Sequence, residues 1–225
     1  MPRIPQTRGT CIFCQRELTR GGLSRHLAGC KARKEAISAS KHRSCDVLHL
    51  QIQDGWRGAF WLHLEMRASA PLSELDRYLR AIWLECCGHL SQFSLGAAEW
   101  GAEIGASRKA SQVFRVGEVY SHIYDFGTTS HSIIHVRAAR RGSPLTKHPI
   151  FLMARNQPPD DRCQECGKPA GWLCHECMIE EEKPGLLCKK HAEDHPHEDY
   201  GEPVPLVNSP RAGMCGYTGP ARPPY

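Results

Sequence analysis

Twelve cysteines and thirteen histidines occur in 225 residues, and their spacing is that of metal ligands rather than of nucleophiles. One group reads Cys11-x2-Cys14-x11-His26-x3-Cys30, and a second runs Cys163-x2-Cys166-x7-Cys174-x2-Cys177-x10-Cys188-x2-His191-x3-His195-x-His197. A CxxC turn presents two thiolates to one ion without backbone strain, and zinc takes four tetrahedral sulfur or nitrogen ligands. Eight of the twelve cysteines fall in these groups. Every tetrahedral position is filled by protein, so the expectation is three structural zinc ions and no catalytic one.

The second group admits two pairings. In a cross-brace, Cys163, Cys166, Cys188 and His191 hold one ion, and Cys174, Cys177, His195 and His197 the other. In a sequential arrangement, Cys163, Cys166, Cys174 and Cys177 share an ion, which crowds Cys188, His191, His195 and His197 around the second within ten residues. The cross-brace is favoured because that crowding is tight for a tetrahedron. His175 competes as a donor, and Cys215 is an alternative to His197.

Other residues imitate chemistry with less context. Asp125 beside His131 and His135 suggests an acid-base pair, but the two histidines lie about 13 Å apart along one strand face and cannot chelate one ion by themselves. Cys86-Cys87-Gly88-His89 reads either as a nucleophile, as a fourth metal site, or as a half-buried helix end in which cysteine acts as a small apolar residue. The acidic run Glu180–Glu182 and the pair Glu193 and Asp194 read as solvated surface.

The elements that must hold these residues follow from periodicity. Gly21-Gly22 marks a turn before a short helix through Leu23, His26, Leu27 and Cys30, which puts His26 and Cys30 on one face and packs Leu23 and Leu27 on Phe13 and Leu18. VLHLQIQ and AFWLHLEM alternate like half-buried strands around the turn pair Asp54-Gly55. After Pro71, LSELDRYLRAIWLEC carries Leu72, Leu75, Leu79, Ile82 and Trp83 on one helical stripe, ended by Gly88. LSQFSL, VYSHIYDF, HSIIHVRAA and IFLMAR read as further strands. The fold class expected is α+β, a central antiparallel sheet with a packed helix, flanked by small zinc-binding modules.

Three resemblances attach to these residues. The amino-terminal group resembles a C2HC relative of the zinc fingers. The segment LSELDRYLRAIWLECCGHLSQFSL followed by VYSHIYDFGTTSHSIIHV resembles the Ri-plasmid ORF-3-like family, also labelled as passenger proteins of insertion elements, through the turn Tyr124-Asp125-Phe126-Gly127. Many relatives have an acidic residue and a tryptophan where this chain has Thr128 and Ser130. The likeness spans about residues 45–157 and implies a fold and a genomic setting, with no activity to carry across. In residue terms the turn is expected to use Asp125 as a cap of backbone donors, Gly127 at positive φ and the aromatics as core. The carboxyl-terminal group resembles B-box and MYND-like modules, with Cys166 where many B-boxes have histidine; such modules mostly contact proteins.

Charge is unevenly spread. Residues 1–44 carry ten basic and two acidic side chains, residues 45–157 twelve and ten, and residues 158–225 seven and twelve. The basic end, with Arg16, Arg20, Arg25, Lys31, Arg33, Lys34, Lys41 and Arg43, suits DNA or RNA, or else is a solvated surface on a protein-docking finger. The acidic end would repel a polyanion, and the unidentified protein partner expected there is what the B-box and MYND-like resemblance implies. Eight zinc-bound thiolates and three dications change the formal +5 to about +3. The division expected is a finger over 1–36, a basic linker over 37–44, the central domain over 45–157, the two-zinc module over 158–200 and a Pro/Gly-rich tail over 201–225. That tail either lies on the domain or is a peptide offered to a partner. The stretch MPRIPQTRGTC has no apolar run of secretory length, no segment reaches membrane-spanning length, and CxxC pairs with histidines favour reduced thiols. The expectation is a cytoplasmic, zinc-binding adaptor without contact to a membrane; the alternative is an enzyme or thiol-reactive protein with structural zinc.

Overall fold

The structure is a computed structural model that describes residues 7–197 and 199–225. Residues 1–6, part of the stretch read for a leader, and residue 198 lie outside the described residues. Strands β1 (Arg8–Cys11), β2 (Glu17–Thr19), β3 (Cys45–Asp54), β4 (Trp61–Arg67), β5 (Ser91–Leu95), β6 (Glu103–Ile104), β7 (Val119–Tyr124), β8 (Ser130–Gly142) and β9 (Ile150–Asn156) form one antiparallel sheet. Its order is β2-β1-β9-β4-β3-β8-β7-β5-β6. The β3–β4 hairpin aligns Leu48 with Met66, Leu50 with Leu64 and Ile52 with Leu62. The Asp54 carboxylate closes its loop, Oδ1 accepting from the N–H of Trp56 (3.1 Å), Arg57 (2.8 Å) and Gly58 (3.0 Å), and Oδ2 from that of Phe60 (2.9 Å). Gly55 lies so close to His131 that a Cβ would meet Nδ1 at 2.3 Å.

One sheet face is apolar. Helix α3 (Leu72–Leu79, after α1 and α2 described next) lays Leu72, Leu75 and Leu79 on it, and Tyr78, Ile82, Trp83 and Leu84 join the same core. The helix expected to run to Cys86 changes into a π-helical turn over Arg80–Leu84 and stops there, Glu85 N donating to Arg80 O at 2.8 Å. Glu85 is drawn out of the helix by its side chain, which pairs with Arg80 and accepts from Gly88 N and the Tyr124 hydroxyl. The helix end at Leu84 therefore leaves Cys86, Cys87 and His89 on extended, bent backbone rather than on a helix.

The opposite face is polar in sequence and still buried: His49, Gln51, His63 and Glu65 are all sequestered. Helices α1 (Arg20–Gly29) and α2 (Lys31–Ala39) supply partners there. Arg33 on α2 reaches Glu65 at 3.1 Å, and Arg140 on β8 reaches it at 2.6 Å. The strands expected to be half-buried are thus covered on both sides, because a buried carboxylate is tolerated once paired.

Gly21 and Gly22 sit inside the first turn of α1 rather than before it, since Thr19 caps the helix by accepting from Gly22 N at 3.3 Å. The basic helix α2 runs past residue 36 into the stretch read as a linker. A separate small sheet, β11-β10-β12, joins β10 (Trp172–Leu173), β11 (Leu186–Leu187) and β12 (Val204–Pro205). The tail lies on the domain: Ser209 Oγ donates to Trp83 O at 2.6 Å, Arg155 Nη1 to Ala221 O at 2.7 Å, and Tyr225 stacks on His148 with ring centres 4.0 Å apart. In the β7–β8 turn Asp125 accepts from Gly127 N (3.0 Å) and Thr128 N (3.2 Å) as a cap. Asp125, not Gly127, takes the left-handed conformation, with φ 67°. Tyr124 is buried, whereas Phe126 is exposed against Trp100 instead of filling core.

Candidate metal centres

The first cluster is built where strand, turn and helix meet. β1 delivers Cys11, a tight turn closed by Gln15 N donating to Cys11 O at 2.8 Å brings Cys14 alongside, and α1 supplies His26, with Cys30 just past its end. Cys14 Sγ lies 3.2 Å from His26 Nε2 and Cys11 Sγ 4.0 Å from Cys30 Sγ, and all four ligand atoms lie within 4.8 Å of one another. Zinc bonds of about 2.3 Å to sulfur and 2.0–2.1 Å to nitrogen set tetrahedral edges of about 3.4–3.8 Å. Leu23 and Leu27 back the cluster with Trp61, Met153, Phe13 and Leu18, so the finger shares its core with the sheet. Burial pushes the Cys11 thiol up to about 11; a bound cation would reverse that by favouring thiolate.

In the carboxyl-terminal module the ligands alternate. Cys163, Cys166, Cys188 and His191 converge as one group, and Cys174, Cys177, His195 and His197 as another. The spacing within the first is 3.3 Å for Cys163–His191, 3.8 Å for Cys166–Cys188 and 3.6 Å for Cys188–His191. In the second, Cys177 lies 3.3 Å from both His195 and His197, and Cys174 lies 3.7 Å from His197. Helices α4 (His175–Ile179) and α5 (Lys189–Glu193) carry Cys177 and His191. The local core is Leu187 with the ligands Cys163, Cys174, Cys177 and Cys188, flanked by Trp172 and Ala192. Burial raises the Cys163 thiol, but backbone hydrogen bonds from Cys188, Glu165 and Cys166 and the contact with His191 outweigh it and bring it down to about 6. Burial pushes Cys177 up to about 11. Glu181, from the acidic run, sits 3.5 Å from His197 Nε2, the position from which an outer carboxylate orients a ligating imidazole.

Neither competitor for a ligand place in this module takes one. His175 Nε2 donates to Gly213 O at 2.7 Å. Cys215 leaves the module altogether and meets Cys86, Cys87 and His89 as a fourth Cys/His group. Among the described residues, four groups that could hold metal ions therefore use eleven of the twelve cysteines, leaving Cys45. The signal for the fourth was present as an unspent Cys-Cys-Gly-His run and an unspent tail cysteine, but nothing in their spacing joins residues 126 positions apart.

Of the basic side chains considered for nucleic acid, Arg16, Arg25, Lys31, Lys34, Lys41 and Arg43 are exposed. Arg33 is spent on Glu65, and Arg20 on Gly58 O at 3.0 Å. A cleft of about 320 Å³ beside His131 is lined by Trp56, Phe60 and Glu99. Of its carboxylates, Asp54 is already engaged by four N–H donors and Glu99 is exposed, and His131 Nε2 is engaged with Ser121 Oγ at 2.9 Å. His135 does not join them. No helix among the described residues is long and apolar enough to cross a membrane.

No family model matches the chain, and no curated protein matches it. Among solved structures it is similar to the crystal structure of a protein of unknown function from Methanosarcina mazei, at 15% identity over 55% of this chain and 75% of that one, with a TM-score of 0.42. A likeness of that degree assigns no function.

Proposed function

We propose that this protein is a non-enzymatic zinc-binding adaptor whose amino-terminal finger contacts DNA or RNA and whose acidic carboxyl-terminal zinc module recruits a protein. The observation that carries the reading is the separation of charge: Arg16, Arg25, Lys31, Lys34, Lys41 and Arg43 stand exposed on the finger, its second helix and the segment that follows, while Glu180, Glu182, Glu193 and Asp194 stand exposed on the module. Fixed cations on a rigid element release counterions from a phosphate backbone, so their effect is read as salt dependence. The likeness of residues 45–157 to the plasmid ORF-3-like family supports an association with a plasmid or mobile element, and the alternating ligand order, like that of B-box and MYND-like modules, supports protein docking. The three clusters built on Cys11, Cys163 and Cys174 hold zinc in this reading, because four thiolate and imidazole donors at near-tetrahedral spacing suit it.

Fluorescence anisotropy of zinc-loaded protein with single- and double-stranded DNA and RNA, across a salt series, tests it. Reversing Arg25, Lys31 and Lys34 to glutamate leaves every ligand in place and should reduce the slope of log affinity against log salt on duplex DNA by about three, at roughly 0.9 for each phosphate that is no longer neutralised. Wild-type protein that binds none of the four nucleic acids at low salt overturns the nucleic-acid half of the reading.

A further inference from the structure

We propose that Cys86, Cys87, His89 and Cys215 form a fourth zinc site, and that this site clamps the carboxyl-terminal tail to the end of the central helix. Cys87 Sγ is the hub, 3.4 Å from Cys86 Sγ, 2.9 Å from His89 Nε2 and 3.6 Å from Cys215 Sγ, and Cys215 Sγ lies 3.5 Å from His89 Nε2. All four ligand atoms fall within 4.8 Å of one another. Three sulfurs and one imidazole nitrogen are the donor set of a closed Cys3His zinc site; the separations from Cys86 to Cys87 and from Cys215 to Cys87 and His89 match its edge lengths, and Cys87 and His89 need only part slightly from 2.9 Å to admit the ion.

The backbone is shaped for the convergence. The π-helical turn at Arg80–Leu84 and the early helix stop at Glu85 release two consecutive cysteines toward the same point, and such turns mark functional positions more often than ordinary helix ends. Cys215 holds the left-handed conformation, φ 51° and ψ 35°, which a side-chain-bearing residue keeps only where its surroundings require it. The turn that carries it is anchored from the other side, because His175 donates to Gly213 O. The site therefore lies where central sheet, tail and carboxyl-terminal module meet.

An outer shell is already in place. Arg211 Nη2 reaches Cys86 Sγ at 3.4 Å and Asp125 Oδ2 at 2.6 Å, giving the thiolates a cationic donor of the kind that tunes metal-bound sulfur. Asp125 Oδ2 also lies 3.3 Å from His89 Nε2; with zinc bound, that nitrogen turns to the ion and Asp125 remains with Arg211. Arg80 Nη2 fixes the loop through His89 O at 2.7 Å, and the Tyr124 hydroxyl accepts from His89 N at 3.3 Å. Cys87 and Cys215 are exposed and none of the four ligands is buried, whereas each of the other three groups contains two buried cysteines, so the fourth ion is the one a chelator reaches first.

The inference shares with the proposed function the premise that these Cys/His clusters take zinc, and counting ions separates the two. Full-length protein purified with excess zinc and desalted is measured by elemental analysis and native mass spectrometry. Four zinc ions are expected in wild type and in Cys45→Ser, and three in Cys215→Ser and in His89→Ala. Cys215→Ser alters only the tail, so loss of the sheet does not confound it. Amide exchange over residues 209–217 should quicken about tenfold or more in Cys215→Ser, as a released segment does. Three ions in wild type, or four in both ligand variants, overturn the fourth site alone; no zinc in any of the proteins overturns the premise of both readings.

Discussion

Arg211 is fully buried at the centre of a cationic stack: its guanidinium lies 4.9 Å from the Tyr124 ring centre, and that of Arg80 lies 4.6 Å from the same ring. Besides Asp125, it donates to Thr128 O and Ser130 Oγ, each at 2.9 Å. Asp125 is held below the usual carboxylate range because, against the penalty of burial, Arg211 and the N–H groups of Gly127 and Thr128 all favour its charged form. Removing one member of a buried pair leaves the other charge uncompensated, at a cost of about 3–5 kcal/mol. Arg211→Met should therefore lower stability by about 3 kcal/mol, the smaller end because a detached tail lets water reach Asp125. Equilibrium denaturation in excess zinc measures it, and a loss below about 1 kcal/mol would show that the pair is no more than a surface contact. Asp125 was visible in the sequence as a turn cap. Its partner was not, since a lone arginine in a Pro/Gly-rich tail has no periodicity to expose it.

At the scale of elements, two buried histidines tie the finger to the sheet. His63 Nε2 lies 3.2 Å from Arg20 O and His63 Nδ1 lies 2.9 Å from His49 Nε2. A carbonyl only accepts, so His63 donates from Nε2, accepts at Nδ1 and fixes His49 as the donor in a neutral chain. Desolvation is the main cause that lowers His63 to about 4 and His49 to about 3, from 6.5. With folded values depressed, the contribution of this pair is complete above pH 6.5 and declines as pH falls toward 4 and 3, because the unfolded chain takes up the protons first. NMR titration of His63 should give a midpoint below 5, and His63→Gln should flatten part of the acid loss of stability; a midpoint near 6.5 would mean the chain is not closed. The strands themselves were legible from VLHLQIQ and AFWLHLEM, and the β3–β4 turn from Asp54-Gly55. What alternation could not convey is that the polar face is covered as well, since pattern marks which residues face together and not what a distant helix lays over them. The π-helical turn was hidden for a related reason: the apolar stripe through Trp83 is intact, and the side chain of Glu85 decides where the helix stops.

Over the whole molecule, a large apolar core stands beside small ones lined by Cys/His groups that could hold metal ions. The central core runs from Leu48 through Ile150 and includes α3 and the apolar sheet face. The finger occupies a middle position, because β1 pairs with β9 and Leu23 and Leu27 pack on Trp61 and Met153 of the sheet. In the carboxyl-terminal module, by contrast, the buried apolar side chains are Leu173 and Leu187, with the sulfurs of Cys163, Cys174, Cys177 and Cys188. So small a core cannot offset the ordering of some forty residues, and metal bound by these Cys/His groups would supply folding free energy there. Stripping the protein with a strong chelator should thus affect its parts unequally. Amides of residues 161–193 should lose protection by several orders of magnitude, and the tail should loosen with them, because β12 pairs with β10. The finger should lose protection in α1 and α2 while keeping its β1–β9 pairing, and β3, β4 and β8 should exchange as slowly as in the loaded protein. Hydrogen exchange resolved along the chain distinguishes these fates. Unchanged protection over residues 161–193 in metal-free protein would mean that the module folds on its own contacts and that its Cys/His groups are not what holds it together.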